Sequence, residues 1–520
     1  MKSSKILLTL AFIEGAAVMA CELISAKMIA PFFGSSLYVW AAVLGVTLFA
    51  LMSGYYLGGY LSQKIKSKNL IYFVLMLAGF FLMIMPFTSI WIMKETIDLS
   101  IRLGSTISLL IFMFPPLLFM GMSSPIIIHL INQKVESTGK STGSIYALST
   151  FGGILSTFLV GFYLLPELGI KTPSYLFGSL LFIAALIPLV FKNKWNMFLL
   201  LIPVMVIFPL SSFQNKLRAN NIELIYESEG VLGQIRVIDM PFHTYTRGTK
   251  QGRLLMVNNT AQTIMNKDDL RYDLWDWSYY FPTAASIYPK KSKVLILGLG
   301  GGAFIKQFKR MGFDIDVVEL DARIRDVNLK YFDLDPSINV IVDDARHYIN
   351  NNTKKYDIVF FDVFYNETPP AHVLTKECFQ KTKSFLKEDG MIMLNFFGFL
   401  TEEEGLAARS IYTTLKASGF QVELLPTPGQ ESHRNLLFLA TFEEKDFTNT
   451  YFEEPGMPVI TNLSEKFIDK DRIDFSDGVI LRDQQPILEK MYLSAALKWR
   501  RVSIDYNTKK FIEADLGLIR

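Results

Sequence analysis

The chain has 520 residues, half of them hydrophobic, and 52 Lys and Arg against 49 Asp and Glu give a formal net charge of +3. That length exceeds one ordinary domain, and a charge so near neutral makes no case for a nucleic-acid partner. With only two cysteines, Cys21 in an apolar stretch and Cys378 in a polar one, no disulfide framework is indicated.

The first 212 residues are dominated by Leu, Ile, Phe, Met, Gly and Ala, and most charged residues come later. Crossing a bilayer takes about 20 apolar residues. Segments near 6–30, 37–61, 70–93, 106–131, 144–165, 173–191 and 196–212 reach or approach that length, which predicts a transmembrane helical bundle over 1–212 with six to seven spans in the cell membrane. The last of them, "NMFLLLIPVMVIFPLSSF", is short and holds two prolines. The loop lysines, from Lys2 and Lys5 to Lys192 and Lys194, fall in alternate loops, so the positive-inside rule puts the first span's start in the cytoplasm. Six spans leave the remainder of the chain on that side and seven leave it outside. Glu14, Glu22 and Lys27 lie in the first span, where an ionised group needs a partner or water. Either a polar pathway within the bundle or a structural ion pair accounts for them.

From about residue 220 the period changes. "GQIRVIDM" and "RLLMVNNTAQTIM" read as half-buried strands, forming a small antiparallel β unit over 220–266. "DLRYDLWDWSYYFPTAASIYP" is aromatic and expected to be helical. Seven short apolar runs follow: "KVLILGL", "DIDVVEL", "INVIVDD", "YDIVFFDVF", "GMIMLNFF", "QVELLP" and "NLLFLATF". Separated mostly by amphipathic helices, they imply a parallel sheet covered on both faces, with the last two suiting an antiparallel edge. An α/β Rossmann-like domain is expected over 267–445, with ligands at the C-terminal ends of its strands, and a polar extension over 446–520.

The motifs at those ends carry the chemistry. The first strand runs into Gly298, Gly300, Gly301 and Gly302 and then a helix; glycines permit positive φ and close approach of a ligand. Glu319 ends the second strand about 20 residues on, where an acid accepts from both ribose hydroxyls. The third ends "VDDAR", placing Asp344 to accept from an adenine amino group beside the small Ala345. Acids at strand ends also serve as helix N-caps. Asp362 ends the fourth strand, positioned to take the proton of an incoming amine, with Tyr365 and Glu367 on the same loop. Together these predict an adenosyl-thioether or adenosyl-sulfonium site. The histidines, 129, 243, 347, 372 and 433, show no paired spacing, so no metal site is expected.

At "VLILGLGGG", "VVELDA", "VDDARHYI" and "YDIVFFDVFYNETPPAHVLT" the chain resembles the spermidine synthases, the polyamine aminopropyltransferases, in the form fused to a transporter-like membrane domain. In the bundle the resemblance rests on "GYYLGGYL" and "SIYALSTFGGILSTFLVGFYLLPELG", and late in the chain on "LRDQQPILEKM". It implies a methyltransferase-type Rossmann-like domain with no prosthetic group. The glycine turn, Glu319 and Asp344 would hold decarboxylated S-adenosylmethionine as co-substrate, or its product methylthioadenosine, and Asp362 would take the place of the catalytic aspartate. Gln234 and Gln262 match the family's two nucleoside-binding glutamines. Partners implied are a small amine such as putrescine, the lipid bilayer and, among the states the resemblance allows, a second copy in a homodimer. The family's second aspartate, three residues past the catalytic one, is Tyr365 here, and its Leu-Asp-Gly turn is Val257-Asn258-Asn259. The family's Tyr-His-Glu segment, which helps place the amine, is replaced by "YDLWDWS", where Asp273 and Asp276 are the candidates to compensate, at a different spacing. A methyltransferase using intact S-adenosylmethionine, and a non-catalytic transporter or sensor, remain open. A sulfonium donor made in the cytosol favours a cytoplasmic soluble domain.

Overall fold

A computed structural model describes all residues except 1, 35–36, 66, 97–98, 132–137, 204, 206–217, 220–221, 231, 259, 365–369, 486, 497 and 499–520. The chain forms two compact units. One holds the helical first part together with Ser228–Gln234; the other holds Arg218–Glu227 and the chain from Ile235 onward.

The helical unit comprises α1 (Lys2–Phe33), α2 (Leu37–Lys64), α3 (Leu70–Thr96), α4 (Ile101–Phe112), α5 (Phe114–Ile131), α6 (Thr138–Leu159) and α7 (Lys171–Lys192). Helix α6 continues through a π turn, Val160–Leu164, into Leu165–Leu168. Among the described residues, six stretches are long and apolar enough to cross a membrane: Lys5–Phe33, Leu37–Lys64, Leu70–Thr96, Phe114–Ile131, Gly139–Leu168 and Lys171–Lys192. Glycines let backbones meet in pairs. A Cβ on Gly54 of α2 would lie 2.4 Å from the Leu118 carbonyl oxygen of α5, and one on Gly79 of α3 would lie 2.6 Å from that of Gly178 on α7.

One expected span comes out differently. The run 106–131 is broken at Met113, between α4 and α5. Pro115 and Pro116 offer no N–H to the preceding turn and sit instead in the first turn of α5, where none is needed. In 196–212 the chain forms a 3₁₀ helix, Lys194–Leu200, with no buried residue. Residues 201–203 and 205 are helical as well, and 204 and 206–212 lie outside the described residues.

The other unit contains two sheets. Strands β1 (Arg218–Ala219), β2 (Ile222–Ser228), β3 (Ile235–Thr244), β4 (Gly248–Val257) and β5 (Thr260–Asn266) form the first in sequential order, and β4 turns into β5 at Asn258, with φ +48°. The second contains β6 (Lys293–Leu297), β7 (Asp314–Glu319), β8 (Asn339–Val342), β9 (Tyr356–Phe361), β10 (Leu386–Phe397), β11 (Gln421–Pro426) and β12 (Asn435–Thr441), in spatial order β11-β12-β10-β9-β6-β7-β8. Strands β6 to β10 run parallel, and β12 is antiparallel to both neighbours. Counted from β6, this is the 3-2-1-4-5-7-6 order of a doubly wound, methyltransferase-type Rossmann-like sheet. The apolar runs explain it: in β6, Leu295 and Leu297 enter one hydrophobic core while Val294 and Ile296 enter the other.

The aromatic stretch 269–289, expected to be helical, is helical only over Tyr280–Ala285. Asp273 accepts from Trp275 N–H at 2.9 Å, a side-chain turn that competes with helix. The segment expected as a polar extension supplies core residues: Leu481, Leu488, Tyr492 and Ala495 on one face of the sheet, Phe447, Phe452 and Leu463 on the other.

Candidate active site

The strand order reverses between β6 and β9, and a doubly wound sheet opens a crevice at such a point. Gly298 follows β6 and Asp362 follows β9. Gly298 N–H donates to Val318 O at 2.8 Å and Asp362 N–H to Leu297 O at 2.9 Å, so both occupy the last rung of the sheet. A Cβ on Gly298 would lie 2.2 Å from the Asp362 carbonyl oxygen, and its φ is +98°. Glycine alone meets both demands.

The turn Gly298–Gly302 is gripped from two elements. Thr263 Oγ1 on β5 accepts from Gly301 N–H at 2.8 Å and donates to Gln262 O at 2.7 Å. Asn328, on the helix Ala322–Tyr331, donates to Gly300 O at 2.7 Å. The backbone of Gln262 therefore lies beside the turn, through a neighbour the sequence did not single out.

The next strand ends bring the acids into line. Glu319 Oε2 accepts from Leu299 N–H at 3.0 Å and its Oε1 from Asp321 N–H at 2.8 Å. Each oxygen keeps a further lone pair, and burial pushes the carboxyl up to about 7 despite those two donors. Asp344 is the N-cap of the helix Ala345–Asn351: its Oδ1 accepts from Arg346 and His347 N–H, at 2.9 and 3.0 Å. The capping role read as an alternative for these acids thus holds for Asp344. Its Oδ2 lies 3.4 Å from His372 Nε2, and Ala345 is buried behind it.

Asp362 closes the row. Its Oδ1 accepts from Asn395 Nδ2 on β10 at 2.8 Å, and Asn395 Oδ1 accepts from Asn435 Nδ2 on β12 at 2.8 Å. Burial raises the Asp362 carboxyl to about 6, partly offset by the Asn395 bond. From Asp344 to Asp362 the row crosses three strand spacings, about 14 Å. Tyr365 and Glu367 lie outside the described residues.

Three residues expected at the site are not in this row. Asp273 is 2% exposed and spends its carboxylate on its own loop, toward Trp275 and Ser278, where burial raises it to about 7. Asp276 accepts from Tyr245 N–H and Thr246 Oγ1. Gln234 belongs to the segment grouped with the helical unit, and its Nε2 donates to Glu229 Oε1 at 3.0 Å, while Glu229 Oε2 accepts from Ile170 N–H. Asn395, Asn435, Thr263 and Asn328 are the site-organising residues that sequence reasoning passed over. Among the described residues no group of His, Cys, Asp and Glu is arranged to hold a metal ion.

A doubly wound sheet with a glycine turn at its switch point, and an acid at the end of the neighbouring strand, defines a Rossmann-like unit. More particularly, residues 282–449 match the family model of the spermine/spermidine synthase domain. A polyamine aminopropyltransferase of Vibrio vulnificus is 33% identical over 155 residues, 27% of this chain, which spans about half (52%) of that protein. Polyamine aminopropyltransferase 2 of Aquifex aeolicus is 25% identical over 439 residues, 81% of this chain and 85% of that protein. The crystal structure of a probable spermidine synthase from Corynebacterium glutamicum matches with a TM-score of 0.37 and 20% identity, covering 51% of this chain and 96% of that one. Residues 282–449 are thus similar to the spermine/spermidine synthase domain.

Proposed function

We propose that the chain is a membrane-anchored aminopropyltransferase, and that Asp362, across the glycine turn from Glu319, is the observation that carries this reading. Decarboxylated S-adenosylmethionine would lie along the strand ends with its adenine toward Asp344 and Ala345, its ribose hydroxyls on Glu319 and its sulfonium over the glycine turn. Asp362, with a carboxyl raised to about 6, is ionised at neutral pH yet basic enough to accept a proton from an aliphatic ammonium held beside it. The freed amine nitrogen attacks the propyl carbon next to sulfur. The N–C bond forms as the C–S bond breaks, the electron pair passes to sulfur, and neutral methylthioadenosine leaves. No prosthetic group or metal takes part in this scheme.

The fused form is supported by the Aquifex relative. Its match of 439 residues exceeds the 293 residues from 218 to 510 and so runs into the helical unit. Six candidate spans among the described residues, an even number, support a reading with the catalytic unit on the side where α1 begins, the cytoplasmic side by the loop lysines. Purified full-length protein, given decarboxylated S-adenosylmethionine and putrescine, is expected to yield methylthioadenosine and spermidine in equal amounts. Product from intact S-adenosylmethionine instead, carrying a transferred methyl group, overturns the reading in favour of a methyltransferase.

A further inference from the structure

The helical unit carries a polar centre of its own. Glu14 on α1 is 4% exposed, nine residues and about 14 Å into its candidate span. Its neighbour Gly15 lets α6 come into backbone contact: a Cβ there would lie 2.0 Å from Ser149 O, and one on Gly152 of α6 would lie 2.2 Å from Phe12 O. At this crossing Ser149 Oγ donates to Glu14 Oε2 at 3.2 Å. From α5 the hydroxyl of Ser123, 0% exposed, faces the same carboxylate; its oxygen has no hydrogen-bond partner within geometric limits. From α2, Tyr55 lies within electrostatic reach of Glu14 and of Tyr146 on α6, and both rings are exposed at the surface of the unit.

A carboxylate inside a helical bundle marks a functional site unless a structural partner neutralises it. Lys27, on the same helix, is thirteen residues and about 20 Å away, too far to pair with it. Among the described residues no salt bridge to Glu14 is formed. Three groups with four oxygens between them are too few for a hard metal ion, which takes six or more, but a carboxylate and two hydroxyls match the three N–H donors of a primary ammonium. The tyrosine faces suit the alkyl chain and the cation it bears.

We propose that Glu14, Ser123 and Ser149 bind the ammonium end of an aliphatic amine that enters past Tyr55 and Tyr146. This site is separate from the row at the strand ends and does not rest on the transferase reading. The test is calorimetric titration of the full chain in phosphatidylcholine nanodiscs, which offer no primary amine of their own, with putrescine as the probe. Glu14→Gln is expected to lose one equivalent of bound putrescine while leaving amine-dependent release of methylthioadenosine within about twofold. Ser123→Ala, which keeps the carboxylate and the helix crossing, is expected to weaken that equivalent about threefold to tenfold. Wild-type stoichiometry and affinity in both variants overturn the proposal, and if Glu14→Gln does not fold, Ser123→Ala decides by the same criterion. Binding that depends on Glu14 in a protein that releases no methylthioadenosine would sink the transferase reading and leave this one standing.

Discussion

Both units of this chain set a recessed carboxylate beside a glycine whose missing side chain admits a neighbouring carbonyl: Gly15 against Ser149 next to Glu14, and Gly298 against Asp362 itself. In the sheet unit the contact lies within the ladder. The hydrogen bonds of β6 to β7 and β9 fix both backbones, and Gly298 has a positive φ. In the helical unit Gly15 is an ordinary helical residue, and the contact depends on how two helices cross. The strand-end acid is thus positioned by main chain, whereas the helix acid is positioned by packing.

The largest expected effect breaks the chemistry on the sheet side. Asp362→Asn should lower the rate of methylthioadenosine release by about 10²- to 10⁴-fold, while calorimetric affinity for methylthioadenosine stays within about threefold. A parallel loss of nucleoside affinity would mean that Asp362 serves binding rather than proton transfer.

Gly298→Ala against Gly15→Ala tests the contrast itself. The first adds a Cβ where both the carbonyl and the positive φ oppose it, and should cost at least about tenfold in methylthioadenosine affinity. The second should lower the thermal midpoint by altering one helix crossing and leave that affinity unchanged. Equal losses of affinity would erase the distinction between main-chain and packing control.

Glu319→Gln should weaken methylthioadenosine about tenfold or more, the scale of hydrogen bonds to a charged group. With its carboxyl pushed up to about 7, the wild type should bind less tightly as pH falls through 7, because protonation removes an acceptor needed by the ribose. The Gln variant should show no such trend.

The smallest effect is at Asn395. Its N–H favours the ionised form of Asp362, so Asn395→Ala raises that carboxyl further. The acid limb of the rate profile should move to higher pH by less than about one unit, with activity at pH 7 down a few-fold and recovered near pH 8.5. Movement toward lower pH would contradict the assigned direction of the bond.

The seven strands of the large sheet were legible because a strand buried on both faces is a short uninterrupted apolar run, and Gly298, Glu319 and Asp362 stand where those runs stop. Thr263, Asn328, Asn395 and Asn435 were not. Asn395 and Asn435 are forty residues apart and meet only because β12 inserts antiparallel beside β10, and Thr263 reaches the glycine turn from a different sheet. The residue type alone told less about Asp344, since a strand-end acid before a helix serves equally as ligand or cap, and here its Oδ1 caps. Hydropathy joined α4 to α5 because proline changes backbone geometry without lowering apolarity. It also missed the core role of Leu481 and Tyr492, whose apolar runs, Val479–Leu481 and Met491–Leu493, are short and stand in an otherwise charged stretch.

Those late core residues bear on the order in which the protein is made. The core that backs Leu297 and Phe361 is finished by side chains as far along as Tyr492 and Ala495, so the cleft cannot be complete until most of the sheet unit's sequence has left the ribosome. The helices of the first unit emerge long before that. Completion of that cleft is therefore among the last steps of a newly synthesised chain, and a chain interrupted before residue 480 would carry its helices with an unfinished sheet unit.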